Sequence, residues 1–536
     1  MHVPVVAERV VGVPRLGGGN RERSACREGS RAKLGPLDVA RGGSYKPGED
    51  GVRLRRLRAP LGVLALAVIA AVALFGLVAA TGIGGGDSPG IGSGADVAEQ
   101  EPFAYEESRR AELERRAAAG LSHVVFANSP GGATATAKRV ARFRDEIEAA
   151  TAGSETDPNL LEAMVYLESA GRPEVIAGRD PELASGLVQI LASTGQALLG
   201  MRIDLERSRE LTAQARRAYR RQQFDKADAL VRRRAQIDER FDPRKALDGA
   251  VRYLAIARER FGGAEDLAIA SYHMGIGNLQ NVIRAYTGSD GRVTDLWAEG
   301  GLTYARLFFD SSPSNNPESW DLLAGFGDES SEYYWKVLAS REIMRLYRED
   351  RGELGQLERQ HGAKATAEEV FHPRAGTEVF DDPDELADAW RDGDVVPIPE
   401  GEGLGLALDD GIGELAPKLD ADRALYRGVR PEALRTLILM AGWVRALNED
   451  SGSLIVTSGV RDRSYQERLG RKNPEATDAY SLHTTGWSFD ILREYEDDAQ
   501  AGAFQFVLDR LQALGAIDYA VEPGAIHVTV SGDVLP

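Results

Sequence analysis

The sequence predicts a multidomain protein with a single transmembrane helix, an all-α domain and a C-terminal α+β domain. Three observations predict it: a long uncharged apolar stretch near the N-terminus, helical periodicity through the middle of the chain, and short alternating segments near the C-terminus. The 536 residues, 43% of them hydrophobic and 28% charged, are enough to bury more than one core.

The uncharged stretch lies between Arg58 and Asp87, and residues 59–82 are predicted to form the transmembrane helix. At about 1.5 Å per residue, this segment is long enough to cross a hydrocarbon layer of roughly 30 Å. A cleaved signal peptide is the alternative, but the 58 residues before the segment are too many for it. Four arginines between residues 53 and 58 place the N-terminus in the cytoplasm and the later domains outside the cell membrane.

The balance of basic and acidic residues changes at the start of the same uncharged stretch. Residues 1–58 hold 13 Lys and Arg against 6 Asp and Glu, whereas the remainder holds 52 against 77, a net charge of −25. The acidic remainder argues against nucleic acid as a partner. The basic tail is predicted to be disordered. The single Cys26 excludes an intramolecular disulfide and a cysteine-based metal site.

Composition divides the predicted extracytoplasmic part into four segments. Residues 83–154 begin Gly- and Ser-rich and continue dense in Glu, Arg and Ala, which predicts a linker and a charged helical spacer. Residues 155–315 show helical periodicity, residues 316–425 are predicted to be a connector with partial structure, and residues 426–536 are predicted to be α+β.

One acidic residue stands out in the all-α segment. Asp157 and Pro158 predict the start of a helix, and Gly171 predicts its end. Glu168 falls on the apolar face of this helix. Burial disfavours the ionised form of a carboxyl group, and a general acid must hold its proton, so the position suits acid catalysis. A structural ion pair with an arginine is the alternative.

Four segments of this region carry a family resemblance. They read YLESAGRP at 166–173, ASGLVQI at 184–190, DP at 242–243 with GAVRYL at 249–254, and ASYHMGIGN at 270–278. Together and in this order they resemble the soluble lytic transglycosylase family, which implies a lysozyme-like fold. Two departures are His273, where the family usually has Asn, and a longer segment between Gln189 and Asp242.

This resemblance implies an enzyme that acts on peptidoglycan without a cofactor. It would cut the glycan strand between N-acetylmuramic acid and N-acetylglucosamine and leave a 1,6-anhydro end. Glu168 would protonate the glycosidic oxygen and then accept the proton of the 6-hydroxyl, while Ser169, Gln189 and Tyr272 would contact the substrate. The alternatives are that Gln189 satisfies a helix end, that Tyr272 is a core residue, and that the enzyme is a hydrolytic muramidase.

The C-terminal segment contains two of the seven histidines of the chain, in SLHTTGWSFDI at 481–491 and AIHVTV at 525–530. Strand alternation lets Asp490 and His527 point to the same face of a sheet. This pattern, with SGVR at 458–461, resembles the D-Ala-D-Ala carboxypeptidase and dipeptidase superfamily of zinc peptidases.

The second resemblance implies a Zn²⁺ site held by His483, Asp490 and His527, with Arg461 binding a substrate carboxylate or oxyanion. The family's catalytic Glu position is occupied here by Gly524, so Glu522 is the nearest candidate base. The whole chain is therefore predicted to be a membrane-anchored lytic transglycosylase with a C-terminal domain that cleaves or binds stem peptides. A non-catalytic peptidoglycan-binding scaffold is the alternative from another class.

Overall fold

The computed structural model describes residues 105–295, 301–448, 452–471 and 480–532. All of them belong to one compact unit, residues 91–536. The predicted basic tail, the predicted transmembrane helix and the first part of the predicted linker lie outside the described residues. Among the helices of the described residues, none has the length and hydropathy needed to cross a membrane.

Helices make up the first part of the described chain. In chain order they are α1 (Arg110–Gly120), α2 (Ser122–Ala127), α3 (Ala133–Val140), α4 (Arg144–Thr151), α5 (Pro158–Ser169), α6 (Ala192–Ala197), α7 (Leu205–Arg220), α8 (Phe224–Ile237), α9 (Pro243–Arg260), α10 (Glu265–Met274), α11 (Ile276–Thr287), α12 (Tyr304–Phe309), α13 (Pro317–Phe326), α14 (Asp328–Ser331), α15 (Tyr333–Glu349), α16 (Arg351–His361) and α17 (Glu368–Phe371). Apolar residues between Leu113 and Leu354 form one continuous core among them, which the end of a later helix joins through Ala513 and Leu514.

Strands and helices alternate in the second part. In chain order they are α18 (Pro383–Asp392), β1 (Val396–Pro397), β2 (Leu406–Leu408), β3 (Gly428–Val429), α19 (Pro431–Leu447), β4 (Leu454–Ser458), α20 (Arg463–Gly470), β5 (Ser488–Leu492), α21 (Asp498–Ala513), β6 (Ile517–Val521) and β7 (Ala525–Val530). The main sheet has the order β2-β4-β5-β7-β6, parallel between β2 and β4 and antiparallel elsewhere, and a second core lies between Phe380 and Val530.

Several predicted elements are confirmed by the structure. Residues 203–242 are rich in Arg, Glu, Gln and Ala and predict two solvated helices, and the structure has two mostly exposed helices there, α7 and α8, which pack on each other. In the C-terminal part, residues 454–457, 487–491 and 525–530 predict strands, and β4, β5 and β7 lie there; residues 431–448 and about 500–514 predict helices, and α19 and α21 lie there.

In the described part of the predicted spacer, the expectation of helices exposed to solvent is wrong. Instead of solvated helices, α1 to α4 bury apolar side chains such as Leu113, Val140 and Ile147 in the first core. Their Ala, Glu and Arg content resembles that of a free helix, but each helix keeps a narrow apolar stripe that packs against the all-α domain.

The structure divides the predicted connector, residues 316–425, between the two cores. Its helix α15 lies inside the first core and packs against α5, with Trp335 fully buried. Residues from Phe380 to Tyr426 contribute buried side chains to the second core. The Gly-, Asp- and Pro-rich turns of this segment join short packed elements.

Candidate active site and candidate metal centre

Helix α5 carries Glu168 in its last turn. The Asp157 carboxylate accepts a hydrogen bond of 2.9 Å from the Asn159 N–H, and Pro158 fills the first helical position, as the sequence predicts. The helix ends where the chain turns left-handed at Ala170 and Gly171, with φ 53° and 69°, and a Cβ atom on Gly171 would stand 2.8 Å from the backbone nitrogen of Val140. Only glycine permits this close approach, which holds the Glu168 end of the helix against α3.

The Glu168 carboxylate is half-buried, and its Oε1 accepts a hydrogen bond of 2.6 Å from the phenol of Tyr333. Tyr333 is 2% exposed and comes from the first turn of α15. Burial raises the pKa of Tyr333 well above its usual value, and the Glu168 charge raises it further, so the phenol stays protonated as a donor. Sequence reasoning missed Tyr333 because it was assigned to the connector; the aromatic run at 333–335 was the available signal.

Aromatic rings line one side of this carboxylate. The Tyr272 ring stacks on Tyr333 with centroids 6.3 Å apart and meets Tyr253 edge-on at 5.0 Å, and the His273 ring stacks on Tyr333 at 5.4 Å. The Tyr272 phenol donates 2.8 Å to the Val188 carbonyl. Burial and, to a lesser extent, the Glu168 charge raise the pKa of Tyr272 well above its usual value. These rings thus form a cluster around Tyr333, the donor to Glu168.

Gln189 lies in a tight loop next to Val188, the residue that Tyr272 binds. Its backbone has φ 48°, and its Nε2 donates 2.7 Å to the carbonyl of Gly186. The side chain therefore supports its own loop. The structure links Glu168 to Tyr272 through Tyr333, and Tyr272 to the residue before Gln189. It ties the Gln189 amide nitrogen to the backbone, and substrate contact by Gln189 stays a prediction.

A buried arginine anchors this loop from behind. Arg240 is fully buried, pairs with Asp238 at 2.7 Å and donates to the carbonyls of Pro181, Leu183 and Ile190 at 2.6, 3.2 and 3.2 Å. These bonds add to those within the loop, where the Ile190 and Leu183 carbonyls also accept from the N–H and the hydroxyl of Ser185 at 3.1 and 2.9 Å. Because Asp238 and Arg240 follow α8, the helical hairpin α7–α8 helps to position the Gln189 loop.

Ser169 lies at the end of α5, and its predicted contact with the substrate stays a prediction. It is 1% exposed, and its hydroxyl donates 3.3 Å to the Val165 carbonyl and accepts 3.3 Å from the Arg172 N–H. The hydroxyl therefore satisfies the end of α5, because the chain turns immediately after it.

The predicted metal ligands converge in the second part of the chain. Asp490 of β5 and His527 of β7 are directly opposed in the sheet, and His483 lies in the turn before β5. The distances are 3.1 Å from His483 Nε2 to Asp490 Oδ1, 2.8 Å from Asp490 Oδ1 to His527 Nδ1, and 3.2 Å between the two ring nitrogens. Donors at zinc bond lengths of about 2.0–2.1 Å stand roughly 3.3 Å apart in a tetrahedron, so this set fits Zn²⁺.

The outer nitrogens of both histidines are also bound. His483 Nδ1 lies 2.8 Å from the Gly459 carbonyl, and His527 Nε2 lies 2.6 Å from Glu368 Oε1. With the proton of each ring on its outer nitrogen, both inner nitrogens are acceptors facing Asp490, which suits a cation between them. Burial lowers the pKa of His527, but the hydrogen bonds and charges of Asp490 and Glu368 outweigh it and raise the pKa to about 10.

The guanidinium of Arg461 forms hydrogen bonds to three neighbouring side chains. Its guanidinium donates to Gln466 Oε1 at 3.0 Å, to Ser458 Oγ at 2.6 Å and to Asp490 Oδ2 at 3.3 Å. It thus orients the carboxylate of Asp490 so that Oδ1 faces the histidines. Its predicted contact with a substrate carboxylate stays a prediction.

Glu522 lies in the turn between β6 and β7. Its backbone closes that turn through a 2.9 Å bond from its N–H to the Ala525 carbonyl, and its carbonyl accepts 2.7 Å from Arg493. Burial lowers the pKa of Arg461, whereas the charges of Asp490, Tyr465 and Glu522, in decreasing order of effect, counter the shift. The role of Glu522 as a base stays a prediction.

One family model matches part of the chain. A model described as the transglycosylase SLT domain matches residues 222–293. The match runs from the α7–α8 turn through α11 and includes Tyr272 and His273, while Glu168, Gln189 and Tyr333 lie outside it. It supports a lytic transglycosylase with a helical lysozyme-like domain, for which peptidoglycan is the substrate. No curated protein matches the chain.

Proposed function

We propose that the chain is a membrane-anchored lytic transglycosylase that cuts peptidoglycan between N-acetylmuramic acid and N-acetylglucosamine, with Glu168 as its acid and base. The observation that carries this proposal is the half-buried Glu168 carboxylate held by the Tyr333 phenol at 2.6 Å beside the Tyr272 ring. A hydrogen bond to one carboxyl oxygen fixes the orientation of the group, which general acid catalysis requires.

The reaction needs one carboxyl group in two roles. Glu168 gives its proton to the glycosidic oxygen, the bond from that oxygen to C1 of the muramic acid breaks, and the N-acetylglucosamine part leaves as an alcohol. The 6-hydroxyl of the same muramic acid then forms a bond to C1, and its proton passes to the Glu168 carboxylate. The product is a 1,6-anhydro end, no water is consumed, and the acid is restored.

Digestion of purified peptidoglycan by the full-length protein, with products identified by mass, tests this proposal. Wild type should release 1,6-anhydro muropeptides, Glu168→Gln should release none, and Glu174→Gln, an exposed control six residues away, should match the wild type. Products with an added water would instead identify a hydrolytic muramidase. A wild type that binds peptidoglycan but releases nothing would favour the non-catalytic scaffold.

The anchoring part of the proposal concerns residues 59–82, outside the described residues. The apolar stretch preceded by arginines would hold the enzyme at the outer face of the cell membrane. Deletion of residues 1–83 should move the protein from the membrane fraction to the soluble fraction. Retention in the membrane after deletion would contradict the assignment of the anchor.

We also propose that His483, Asp490 and His527 bind Zn²⁺ and that this centre cleaves or binds the stem peptides of the same polymer. Their three converging donor atoms favour it. Bound zinc would acidify a water molecule and polarise a peptide carbonyl. Arg461 orients Asp490, while Glu522 is the available acid near Arg461. Release of D-alanine from peptidoglycan in the presence of zinc distinguishes cleavage from binding.

A further inference from the structure

The carboxylate of Glu368 is the outer partner of His527. Glu368 Oε1 lies 2.6 Å from Nε2 of His527, on the side of the ring that faces away from Asp490. The opposite ring nitrogen, Nδ1, is the one that lies 2.8 Å from Asp490 Oδ1. A proton shared with Glu368 therefore leaves the inner nitrogen as an acceptor.

Glu368 is itself fixed from two directions. The side chain is 3% exposed, its Oε1 also accepts 3.1 Å from the Thr529 hydroxyl, and its Oε2 accepts 2.6 Å from the Lys364 ammonium. Thr529, Lys364 and His527 together hold the buried carboxylate in one position. The carboxylate in turn holds the ring of His527 in one orientation.

The segment that supplies Glu368 lies outside the sheet that supplies the three ligands. It follows α16, whose Leu354 is buried in the first core and whose Glu358 accepts 2.8 Å from the Thr134 N–H of α3. It is tied to the sheet as well, because the Ala367 N–H donates to Asp518 of β6 and His372 Nε2 lies 2.7 Å from the Val530 carbonyl of β7. The carboxylate therefore reaches His527 from a segment attached to both cores.

We propose that Glu368 is the positioning residue of the metal centre: it fixes the tautomer and orientation of His527, and so makes metal binding depend on the segment that joins the two cores. This inference rests on the zinc site proposed above. A carboxylate that accepts the outer N–H of a metal-bound histidine raises the basicity of the ligand, and its loss typically weakens metal binding about 10- to 100-fold.

Zinc titration of the metal-free full-length protein against a chromophoric chelator tests it. Glu368→Gln should bind Zn²⁺ about 10- to 100-fold more weakly than the wild type. Glu369→Gln removes the adjacent acid, which accepts a 3.3 Å bond from the Arg374 N–H, and should leave the affinity unchanged. Cobalt added in place of zinc provides a second readout: the visible absorption bands of the Glu368→Gln protein at saturation should differ from those of the wild type, which a loss of stability alone would not cause.

The outcomes separate this inference from the zinc proposal. A wild type that binds no zinc overturns both. Wild-type affinity and an unchanged cobalt spectrum in Glu368→Gln overturn the role of Glu368 alone. If Glu368→Gln does not fold, Lys364→Met decides: it keeps the His527 partner but removes the donor to Oε2, and it should still weaken zinc binding relative to Glu369→Gln. Equal affinity in Lys364→Met and the control then overturns the role.

Discussion

The phenol of Tyr333 donates a 2.6 Å hydrogen bond to Oε1 of Glu168, although the two residues are 165 positions apart in the chain. This bond joins the last turn of α5 to the first turn of α15, which pack together in the first core. The acid of the proposed reaction is therefore oriented by a helix that begins beyond the region of family similarity, residues 222–293. Its orientation depends on the packing of the whole all-α domain.

Tyr333→Phe should lower the rate of glycan cleavage about 10- to 100-fold, because a hydrogen bond to a charged group contributes about 1.5–3 kcal/mol. The reduction should fall on kcat rather than on KM, since the phenol orients the acid and does not need to touch the sugar. Release of soluble muropeptides over time measures it. Tyr347→Phe, in the same helix, is the matched control, and equal rates for the two variants would contradict the role of Tyr333.

Alanine substitution of two glycines tests whether the loop that carries Gln189 is rigidly packed. Gly186 has φ 85°, and an added Cβ would stand 1.8 Å from the backbone oxygen of Arg240, whereas Gly200, with φ 63°, has open space around it. Both alanine variants must place a side chain in the left-handed region, which costs about 1–2 kcal/mol. Gly186→Ala should lose more stability than Gly200→Ala in urea unfolding and should also lose activity, because its loop carries Gln189. Similar losses in both would show that the loop moves freely.

A second acid on α5 has a structural role. Glu162 is 1% exposed and contacts two arginines, Arg144 at 3.2 Å and Arg348. Glu162→Ala removes this partner from two arginines that are 27% and 37% exposed, and Arg144 keeps its bond to Glu148, so the loss should be about 1.5–3 kcal/mol, as for a hydrogen bond to a charged group. Chemical denaturation should show this loss, while Glu174→Ala, at an exposed site, should change stability little. A Glu162→Ala protein as stable as the control would contradict the buried ion cluster.

The sequence predicts those parts of both sites that depend on local patterns. The cap at Asp157 and the helical spacing place Glu168 correctly, and strand alternation places Asp490 and His527 on one face of the sheet. Tyr333 and Glu368 are not predicted, because each reaches its site from a segment distant in sequence. A buried tyrosine at the start of a helix and a glutamate at the start of another look like ordinary core and cap residues. Only the packing of α15 and α17 gives them partners.

The same dependence on contacts distant in sequence explains why the predicted boundaries of the spacer and the connector differ from the boundaries of the two cores. The helices from α1 to α4 have low hydrophobicity, so their composition predicts solvated helices, yet small residues such as Ala117 and Ala137 are fully buried. Alanine stripes carry a weak hydrophobic signal but allow helices to pack closely. Boundaries predicted from composition therefore fall at places where the core of the folded protein is continuous.

Acid should destabilise the protein through His361. Burial and the neighbouring His123 lower the pKa of His361 to about 3 in the folded chain, against an ordinary value of 6.5. Because the unfolded chain then binds an additional proton between pH 3 and 6.5, stability is complete above pH 6.5 and falls as the pH decreases through this range, by up to about 1.4 kcal/mol per pH unit.

His361→Phe replaces the imidazole, which stacks on Phe126 at 4.2 Å, with a ring that cannot titrate. Urea unfolding of the metal-free protein between pH 4 and 8 should show a shallower loss of stability for the variant than for the wild type. Parallel profiles would contradict a depressed pKa at this position.

Zinc should bind the full-length protein at one ion per chain and raise its melting temperature, because a ligand that binds only the folded state stabilises it. His483→Ala removes a donor that lies 3.1 Å from Asp490 and 3.2 Å from His527, so the variant should lose zinc during dialysis and melt at the same temperature with or without zinc. His273→Ala removes a histidine that stacks on Tyr333, next to the other site, and should retain full zinc stoichiometry by elemental analysis. Full zinc content in the His483→Ala protein would exclude His483 as a ligand, and the centre would then consist of some other group of donors.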